Sequence, residues 1–150
     1  MFASSFFSKV EATLESGSFE SLFVTATGLE ALGQQKGSYL LMLHLEAMVQ
    51  VKMPKAVMAS IAPGFYIYAG SAFGGGGIAA RLGRHFKRDK TLHWRVDQLT
   101  VKAGQMAAFA LPDGDECVLV NELQASGWFQ TILPGFGHSD CRQCESHLLT

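Results

Sequence analysis

Between residues 64 and 90 the chain carries an apolar, aromatic run, then four consecutive glycines, then a segment with basic residues at helical spacing. A Pro-Gly turn signal introduces the run GFYIYAG, which is typical of a β-strand. In the segment GIAARLGRHFKRDK, Ile78 and Leu82 fall on one helical stripe, whereas Arg81 and His85 fall on another. A strand, a loop of bare backbone and an amphipathic helix are therefore predicted in that order.

The rest of the chain supplies further strands and helices. Apolar, β-compatible runs predict strands at residues 39–45, 48–53 and 104–111, with the first two joined as a hairpin. Helical patterns cover residues 91–100 and 115–126, and acidic residues begin the second, where the helix dipole favours them. The remainder, residues 127–150, is rich in loop signals. Together these elements predict a small α+β domain with a mostly antiparallel sheet flanked by helices.

The length of the chain limits its domain organisation. A chain of 150 residues is long enough for one domain with its own core and too short for two. Residues 1–35 read as one or two short amphipathic helices, because Phe, Val and Leu recur at intervals of three and four residues. We interpret them as a helical appendage that packs on the core or contacts a protein partner. Residues 36–150 then form the domain itself.

Composition restricts the class of protein. Hydrophobic residues make up 48% of the chain and charged residues 17%, which is typical of a globular protein. No run of 18 apolar residues occurs, and the first residues lack the basic stretch of a signal peptide. Three cysteines are an odd count and fit a reducing compartment better than a disulfide framework. The sequence thus predicts a cytoplasmic protein with no membrane partner.

Positive charge is concentrated in the middle of the chain. Residues 37–100 contain eight Lys or Arg against three acids, and most of these cations lie between Arg81 and Arg95. An anionic ligand is expected there. The glycine string lacks the GK[ST] ending of a P-loop and the GxGxxG pattern of a dinucleotide fold, which disfavours a nucleotide-binding domain. Arg81 and His85 are four residues apart, so both can face one phosphodiester from one helical face. The alternative for such a pair is an ordinary solvated basic face.

Several short motifs occur in a meaningful order. G-S-Y stands at residues 37–39 and Y-A-G at 68–70, followed by Arg81, His85 and an acid on a later predicted helix. In this order the chain resembles the GIY-YIG nuclease superfamily. The segments GFYIYAGSAFGGGGIAARLGRHFKRDKTLHW and GFGHSDCRQCESHLL resemble more closely one small branch of it. The resemblance covers roughly residues 37–150 and implies an endonuclease that hydrolyses phosphodiester bonds in DNA or structured nucleic acid.

The resemblance implies roles for two tyrosines, an arginine and a histidine. Tyr39 would activate the attacking water, and Tyr68 would line the scissile phosphate. Arg81 and His85 correspond to the arginine and histidine of the superfamily. A tyrosine has an ordinary pKa near 10, so at neutral pH it needs help from a metal or from neighbouring cations.

The resemblance also implies a metal and a nucleic-acid surface. Glu116 corresponds to the metal-binding glutamate, which would hold Mg²⁺ or Mn²⁺, and Glu122 is the fallback. Such an ion and an arginine together relieve the charge that develops on the phosphoryl oxygens. The residues expected to contact the nucleic-acid strand are Gly70, Ser71, Arg84, Lys87, Arg88, Lys90 and His93.

The chain departs from the superfamily pattern in ways that leave other functions open. Twenty-eight residues separate Tyr39 from Tyr68, and Ser38 stands where the first signature usually has isoleucine. The polar residue that often follows the glutamate cannot be placed. One alternative is a nucleic-acid-binding module that keeps the fold without catalysis. A second is a protein-interaction adaptor that binds a partner through residues 1–35.

Two further patterns have both a functional and a structural interpretation. His93 and Asp97 lie four residues apart, which suits a carboxylate that orients an imidazole or joint metal binding, and the structural alternative, which we favour, is a hydrogen bond beside a buried Trp94. The tail places four potential zinc ligands at intervals of three, namely His138, Cys141, Cys144 and His147. Four ligands this close in sequence strain one tetrahedron, so the alternative is a tail that caps the fold near the active face, with its cysteines as small hydrophobes.

Overall fold

A computed structural model describes residues 4–137 and 143–150 of the chain. The helices are α1 (Ser4–Ser16), α2 (Gly77–Phe86), α3 (Asp97–Thr100) and α4 (Glu116–Ala125). The strands are β1 (Leu22–Val24), β2 (Gly37–Leu45), β3 (Val49–Lys52), β4 (Met58–Ile61), β5 (Gly64–Ala72), β6 (Gln105–Pro112) and β7 (Leu148–Leu149). Short 3₁₀ turns occupy Leu29–Leu32 and Pro54–Ala56.

The main sheet is antiparallel throughout the described residues. Its strand order is β1-β6-β2-β5-β7, and strands β3 and β4 form a separate two-stranded sheet. The central strand β2 pairs along its length with β5 on one side and β6 on the other. The predicted α+β class, with an antiparallel sheet flanked by helices, is confirmed.

The predicted hairpin between the strands at 39–45 and 48–53 is wrong. Strand β3 pairs with β4, where Val49 lies opposite Ile61, and makes no ladder with β2. The reason lies in burial, because β2 is buried at every residue except His44, whereas β3 alternates between buried and exposed residues. A strand buried on both faces belongs in the centre of a covered sheet, and an alternating strand belongs to a sheet with one solvated face.

The main sheet separates two apolar cores. On one face, which we call the α2 face, Leu41 and Leu43 pack with residues of helices α2 and α3. On the other, the α4 face, Leu40 and Met42 pack with residues of helices α1 and α4. Alternate residues of one strand point to opposite faces, so the continuous apolar run of β2 supplies both cores.

The N-terminal residues only partly match the prediction. Helix α1 is confirmed, and its Val10 and Leu14 are buried against the α4 face of the sheet. The second predicted helix is wrong, because Leu22–Val24 forms an edge strand beside β6. The ring of Phe23 lies 5.6 Å from that of Phe109, its register partner in β6. Pairing with β6 and this aromatic contact outweigh a weak helical pattern.

Two predicted helices are shorter than expected. Helix α2 ends at Phe86, four residues before the predicted end, and α3 covers only Asp97–Thr100 of the predicted 91–100. The Asp97 carboxylate accepts hydrogen bonds from the backbone N–H groups of His93 and Trp94, both at 2.8 Å. Those bonds hold the chain in a turn before α3 begins. In the part of the chain that the structure describes, no helix is long and apolar enough to cross a bilayer.

Candidate active site

One small cavity brings the predicted catalytic residues together. Its volume is about 50 Å³, and it lies at the edge of the α2 face. All the side chains assigned to catalysis line it, namely Tyr39, Tyr68, Arg81, His85 and Glu116. Ser71, Trp94, Val96 and Gly137 complete the lining. Liquid water takes up about 30 Å³ per molecule, so this cavity, which we call the catalytic cavity after the expected roles of these residues, has room for one or two waters.

The two tyrosines project from neighbouring strands onto the same face of the sheet. Tyr39 on β2 lies opposite Gly70 on β5, and Tyr68 lies opposite Leu41. Their ring centroids are 6.5 Å apart. A Cβ atom added at Gly70 would lie 2.3 Å from the Tyr39 ring, so only glycine leaves room for that ring. The glycine of the Y-A-G motif is therefore explained by the position of the first tyrosine.

A buried hydrogen bond links Tyr39 to helix α2. Tyr39 Oη lies 2.7 Å from His85 Nε2, and both residues are 1% exposed. Burial raises the pKa of Tyr39 well above its ordinary value, the neighbouring Tyr68 adds to the rise, and Arg81 opposes it. Burial and then the Lys90 ammonium lower the pKa of His85 to about 3. Both groups are thus neutral at physiological pH.

The His85 ring has an unused nitrogen. His85 Nδ1 is buried, and within the described residues it neither accepts nor donates a hydrogen bond. A neutral imidazole carries one donor and one acceptor, so a proton that moves onto one nitrogen can be released from the other. The Tyr39 hydroxyl can therefore either donate to His85 Nε2 or accept from it.

Trp94 holds two arginines at the mouth of the cavity. The guanidinium carbon of Arg81 lies 4.1 Å from the centroid of the Trp94 ring, and that of Arg84 lies 4.5 Å away. Arg84 also forks onto Asp97, with nitrogen-to-oxygen distances of 2.8 and 3.3 Å. Because that carboxylate holds Arg84, the arginine available to a ligand in the cavity is Arg81. Stacking on Trp94 fixes its orientation.

Glu116 supplies the carboxylate of the catalytic cavity. It is the first residue of α4, whose N terminus is capped by Asp115, with the Asp115 side chain accepting from the Cys117 and Val118 N–H groups. Among the described residues it is the one acid that lines this cavity. The fallback, Glu122, is wrong for this site, because it lines a separate cavity against α1.

The structure separates the residues that were expected to contact nucleic acid. Gly70 lies beneath Tyr39, and Ser71 lines the catalytic cavity. Lys87 and His93 are exposed at the surface. A larger cavity of about 290 Å³ shares Arg81 and Trp94 with the catalytic cavity and is lined by the glycine loop, Ala72, Ala80 and Arg84. This second cavity, the loop cavity, extends the site toward solvent.

Three of the expected nucleic-acid cations serve the fold instead. Lys90 Nζ donates to the backbone oxygens of Arg84 and His85, both at 3.0 Å, and its side chain is only 6% exposed. Arg88 donates to the backbone oxygens of Ala103 and Gly104. With Arg84 bound to Asp97, we assign none of the three to a ligand. Helix spacing could not show this, because the partners of Arg84 and Arg88 follow α2 in the chain, and Lys90 turns back onto the last turn of α2.

The structure supports a structural role for the His93 and Asp97 pair, rather than a carboxylate that orients an imidazole. Asp97 contacts the backbone of His93 rather than its imidazole, which is exposed. Burial acts to raise the pKa of Asp97, but the N–H groups of His93 and Trp94 and the Arg84 guanidinium together hold it below its ordinary value. Asp97 is therefore an ionised structural anchor for the turn before α3 and for Arg84.

The tail contributes to a cluster that the sequence did not predict in full. His138 and Cys141 lie outside the described residues. Cys144 and His147 meet Cys117 of helix α4, and the potential ligand atoms of these three lie within 4.8 Å of one another. Cys144 is a free thiol, whereas Cys117 is disulfide-bonded, which the odd cysteine count did not lead us to expect. Cys117 is the one cysteine outside the tail, and its presence was the signal that could have suggested a ligand from another element.

Comparison with known proteins adds a family and no function. Residues 38–150 match the family model described as "Domain of unknown function DUF123". No curated protein matches the chain, and no solved structure does. The matched region includes every residue assigned to catalysis and all three members of the Cys and His cluster, whereas α1 and β1 precede it.

Proposed function

This chain belongs to the DUF123 family, and we propose that it is a GIY-YIG-type, metal-dependent endonuclease acting on DNA or structured nucleic acid. The observation that carries the proposal is the convergence of Tyr39, Tyr68, Arg81, His85 and Glu116 on one cavity. These residues come from two strands and two helices. Packing alone does not require a guanidinium, an imidazole and a carboxylate to lie beside two phenols, so their grouping supports a shared chemical role.

Tyr39 and His85 would move the proton of the attacking water. The water gives a proton to Tyr39 Oη as its oxygen bonds to phosphorus, and Tyr39 passes its own proton to His85 Nε2 across their 2.7 Å contact. The bond from phosphorus to the leaving oxygen breaks, and that oxygen takes a proton from solvent. An anionic phosphodiester nearby raises the proton affinity of the imidazole, which counteracts the effect of burial and of Lys90.

Arg81 would bind the phosphoryl oxygens. Its guanidinium is held against Trp94 at the boundary between the catalytic cavity and the loop cavity. A guanidinium donates two parallel hydrogen bonds to a phosphate, so it both orients the group and stabilises the charge that builds on it. Tyr68, half-buried in the lining of the same cavity, would contact the same phosphate.

A divalent ion fits the donors of the catalytic cavity. Mg²⁺ is commonly held by one or two carboxylates and keeps several waters, and Glu116 supplies one carboxylate beside two phenol oxygens. Mg²⁺ or Mn²⁺ bound there would stabilise negative charge on the leaving oxygen as a Lewis acid.

The loop cavity would hold the flanking strand. Cβ atoms added at Gly74 or Gly75 would meet nothing within 4 Å, so the backbone here is open to a sugar-phosphate chain. Lys87 and His93 lie exposed on the adjoining segments, and neutralised phosphates release counterions, so binding should weaken with salt. We further propose a cytoplasmic location and, through residues 1–35, a protein partner.

A nucleic-acid-binding module without catalysis is the second candidate. The burial of Tyr39 and the small volume of the catalytic cavity favour it, because a phenol this inaccessible is a poor base until the cavity opens. Both candidates share the fold and the basic mouth. They differ in whether a bond is broken.

Incubation with supercoiled, branched and single-stranded DNA and Mg²⁺ or Mn²⁺ separates these functions. We expect cleavage by the wild type and a loss of about 100-fold or more in Tyr39→Phe, the usual cost of removing a general base. Glu122→Gln, a matched acid on the same helix but outside the cavity, should cleave normally. Salt-sensitive binding without cleavage would favour the nucleic-acid-binding module over the enzyme. No binding at all would favour the protein-interaction adaptor. Cleavage that survives Tyr39→Phe would contradict the proposed site.

A further inference from the structure

We propose that, in the reduced chain, Cys117, Cys144 and His147 bind a zinc-class ion that fastens the C-terminal segment to helix α4. This site is separate from the carboxylate site in the catalytic cavity, and its existence does not depend on nuclease activity. The potential ligand atoms are one from each residue, and all of them lie within 4.8 Å of one another.

The fold holds these three residues in place through their backbones. Cys117 lies in the first turn of α4, where its N–H donates to the Asp115 cap at 2.8 Å. His147 is fixed on both sides, because its N–H donates to Phe136 O and its carbonyl accepts from Ala69 N–H, each at 2.9 Å. Cys144 is buried and packs in the core of the α4 face. The donors thus sit on a rigid frame.

Four ligands close together in the tail would strain one tetrahedral site, but the cluster in the structure takes only two of its ligands from the tail. Zinc sites draw their ligands from separated elements, and a Cys-x₂-His pair supplies one half of such a site. Cys144 and His147 have that spacing, and Cys117 comes from an element 27 positions earlier in the chain. These three donors leave one position of a tetrahedral ion for a further ligand.

The donor types select the metal. Two thiolates and an imidazole are soft or borderline ligands, which prefer zinc to the magnesium or manganese that a carboxylate binds. Glu116 Oε2 lies 3.6 Å from His147 Nδ1. A carboxylate beside the second nitrogen of an imidazole is the usual companion of a histidine that binds zinc. A metal here would therefore also orient Glu116, a consequence that rests on the proposed function.

The redox state of Cys117 sets the condition for binding. Cys117 is disulfide-bonded in this structure, so its thiolate becomes a ligand only after reduction. A phosphine reductant supplies that condition without itself competing for zinc as a thiol reductant does. Zinc content should accordingly be high in reduced protein and low in protein purified under air.

The full chain, expressed with zinc and purified with a phosphine, tests the proposal. Elemental analysis should find about one zinc per chain. Cobalt added to metal-free protein should give a thiolate-to-cobalt charge-transfer band together with the visible bands of a tetrahedral ion. Cys144→Ser and His147→Gln should each weaken zinc binding by more than about tenfold, since even partners outside the ligand shell commonly cost that much. His93→Gln, an exposed imidazole outside the cluster, should bind zinc as the wild type does.

Some results would overturn the proposal. They are a reduced wild type without stoichiometric zinc, a cobalt spectrum without a thiolate band, or unchanged affinity in folded Cys144→Ser protein. The cobalt spectrum needs no variant, so it decides the matter even where a substitution prevents folding. Reduced, zinc-supplied protein that contains no zinc and still cleaves DNA would reject this proposal and leave the nuclease proposal intact.

Discussion

The two faces of the main sheet are made by alternate residues of the same strands, yet they bury different chemistry. On the α4 face Leu40 and Met42 meet an apolar core. On the α2 face their neighbour Tyr39 meets His85, and Asp97 is buried beside helix α2 as the partner of Arg84. A buried polar group costs free energy unless it is paired, so one face is built for stability and the other retains groups that stability alone would not select.

The largest effect should come from the α4 face. Leu40 is fully buried between β2 and its covering helices, so Leu40→Ala should lower the free energy of unfolding by about 2–5 kcal/mol. Chemical denaturation measures this. Leu22→Ala on the edge strand, where Leu22 is 42% exposed, should change stability far less. Equal losses in the two variants would contradict the assignment of a tightly packed core to this face.

On the α2 face, the contact between Gly70 and Tyr39 is the most sensitive point. Gly70→Ala places a methyl group in the space of the Tyr39 ring and should destabilise the fold by about 1–3 kcal/mol, because the ring must move. It should also break the contact with His85, which NMR of the imidazole can report. Gly74→Ala is the matched control, since its methyl group would meet nothing within 4 Å. A wild-type imidazole signal in Gly70→Ala would contradict the geometry.

The buried imidazole predicts a specific dependence of stability on pH. The pKa of His85 is about 3 in the folded chain, against about 6.5 when unfolded, so the unfolded state binds the extra proton first. The contribution of neutral His85 to the free energy of unfolding is fully present at neutral pH. It is lost as the pH falls below about 6.5, at up to ~1.4 kcal/mol per pH unit. The surrounding cations Lys90, Arg81 and Arg84 favour the neutral form, and Asp97 opposes them.

Denaturation of the wild type and of His85→Gln between pH 7 and pH 4 checks this dependence. The variant should lose less stability on acidification than the wild type, and the gap between the two curves should narrow as the pH falls. His93→Gln, which removes an exposed imidazole, should follow the wild-type slope. Parallel curves for the wild type and His85→Gln would show that His85 is not held neutral by the fold.

The smallest expected effect is on DNA binding, and it distinguishes the exposed cation Lys87 from Lys90, which stabilises the fold. If Lys87 contacts a phosphate, Lys87→Gln should weaken DNA binding only a few-fold and reduce the slope of log affinity against log salt by about 0.9. Unfolding stability should not change. Lys90→Met should do the opposite, because it leaves the backbone oxygens at the end of α2 without their donor. Fluorescence anisotropy at several salt concentrations, with denaturation in parallel, checks both.

Local patterns predicted the elements better than they predicted the contacts between them. The strand, glycine loop and helix at residues 64–86 follow from residues adjacent in sequence, and the structure contains them. The pairing of β2 could not be predicted in this way, because its partners in both ladders are distant in sequence, with Leu45 opposite Gly64 and His44 opposite Gln105. Edge-strand pairing likewise replaced the predicted second helix near Phe23.

In the candidate site too, the residues could be predicted from the sequence, whereas the contacts between them could not. Motif order brought Tyr39, Arg81 and Glu116 into one hypothesis, and the structure places them on one cavity. The hydrogen bond to His85 spans 46 positions, and no periodicity reports it. The internal role of Lys90 was missed for the same reason, since side chains on one helical face look alike until their partners are known.

The single-turnover rate of DNA cleavage as a function of Mg²⁺ concentration tests the central claim most directly. The account predicts a saturable rate for the wild type and for Glu122→Gln, and for Glu116→Gln a loss of about 100-fold or more that added metal restores only in part. A Glu116→Gln curve that superimposes on the wild type would show that the carboxylate of this cavity holds no catalytic ion.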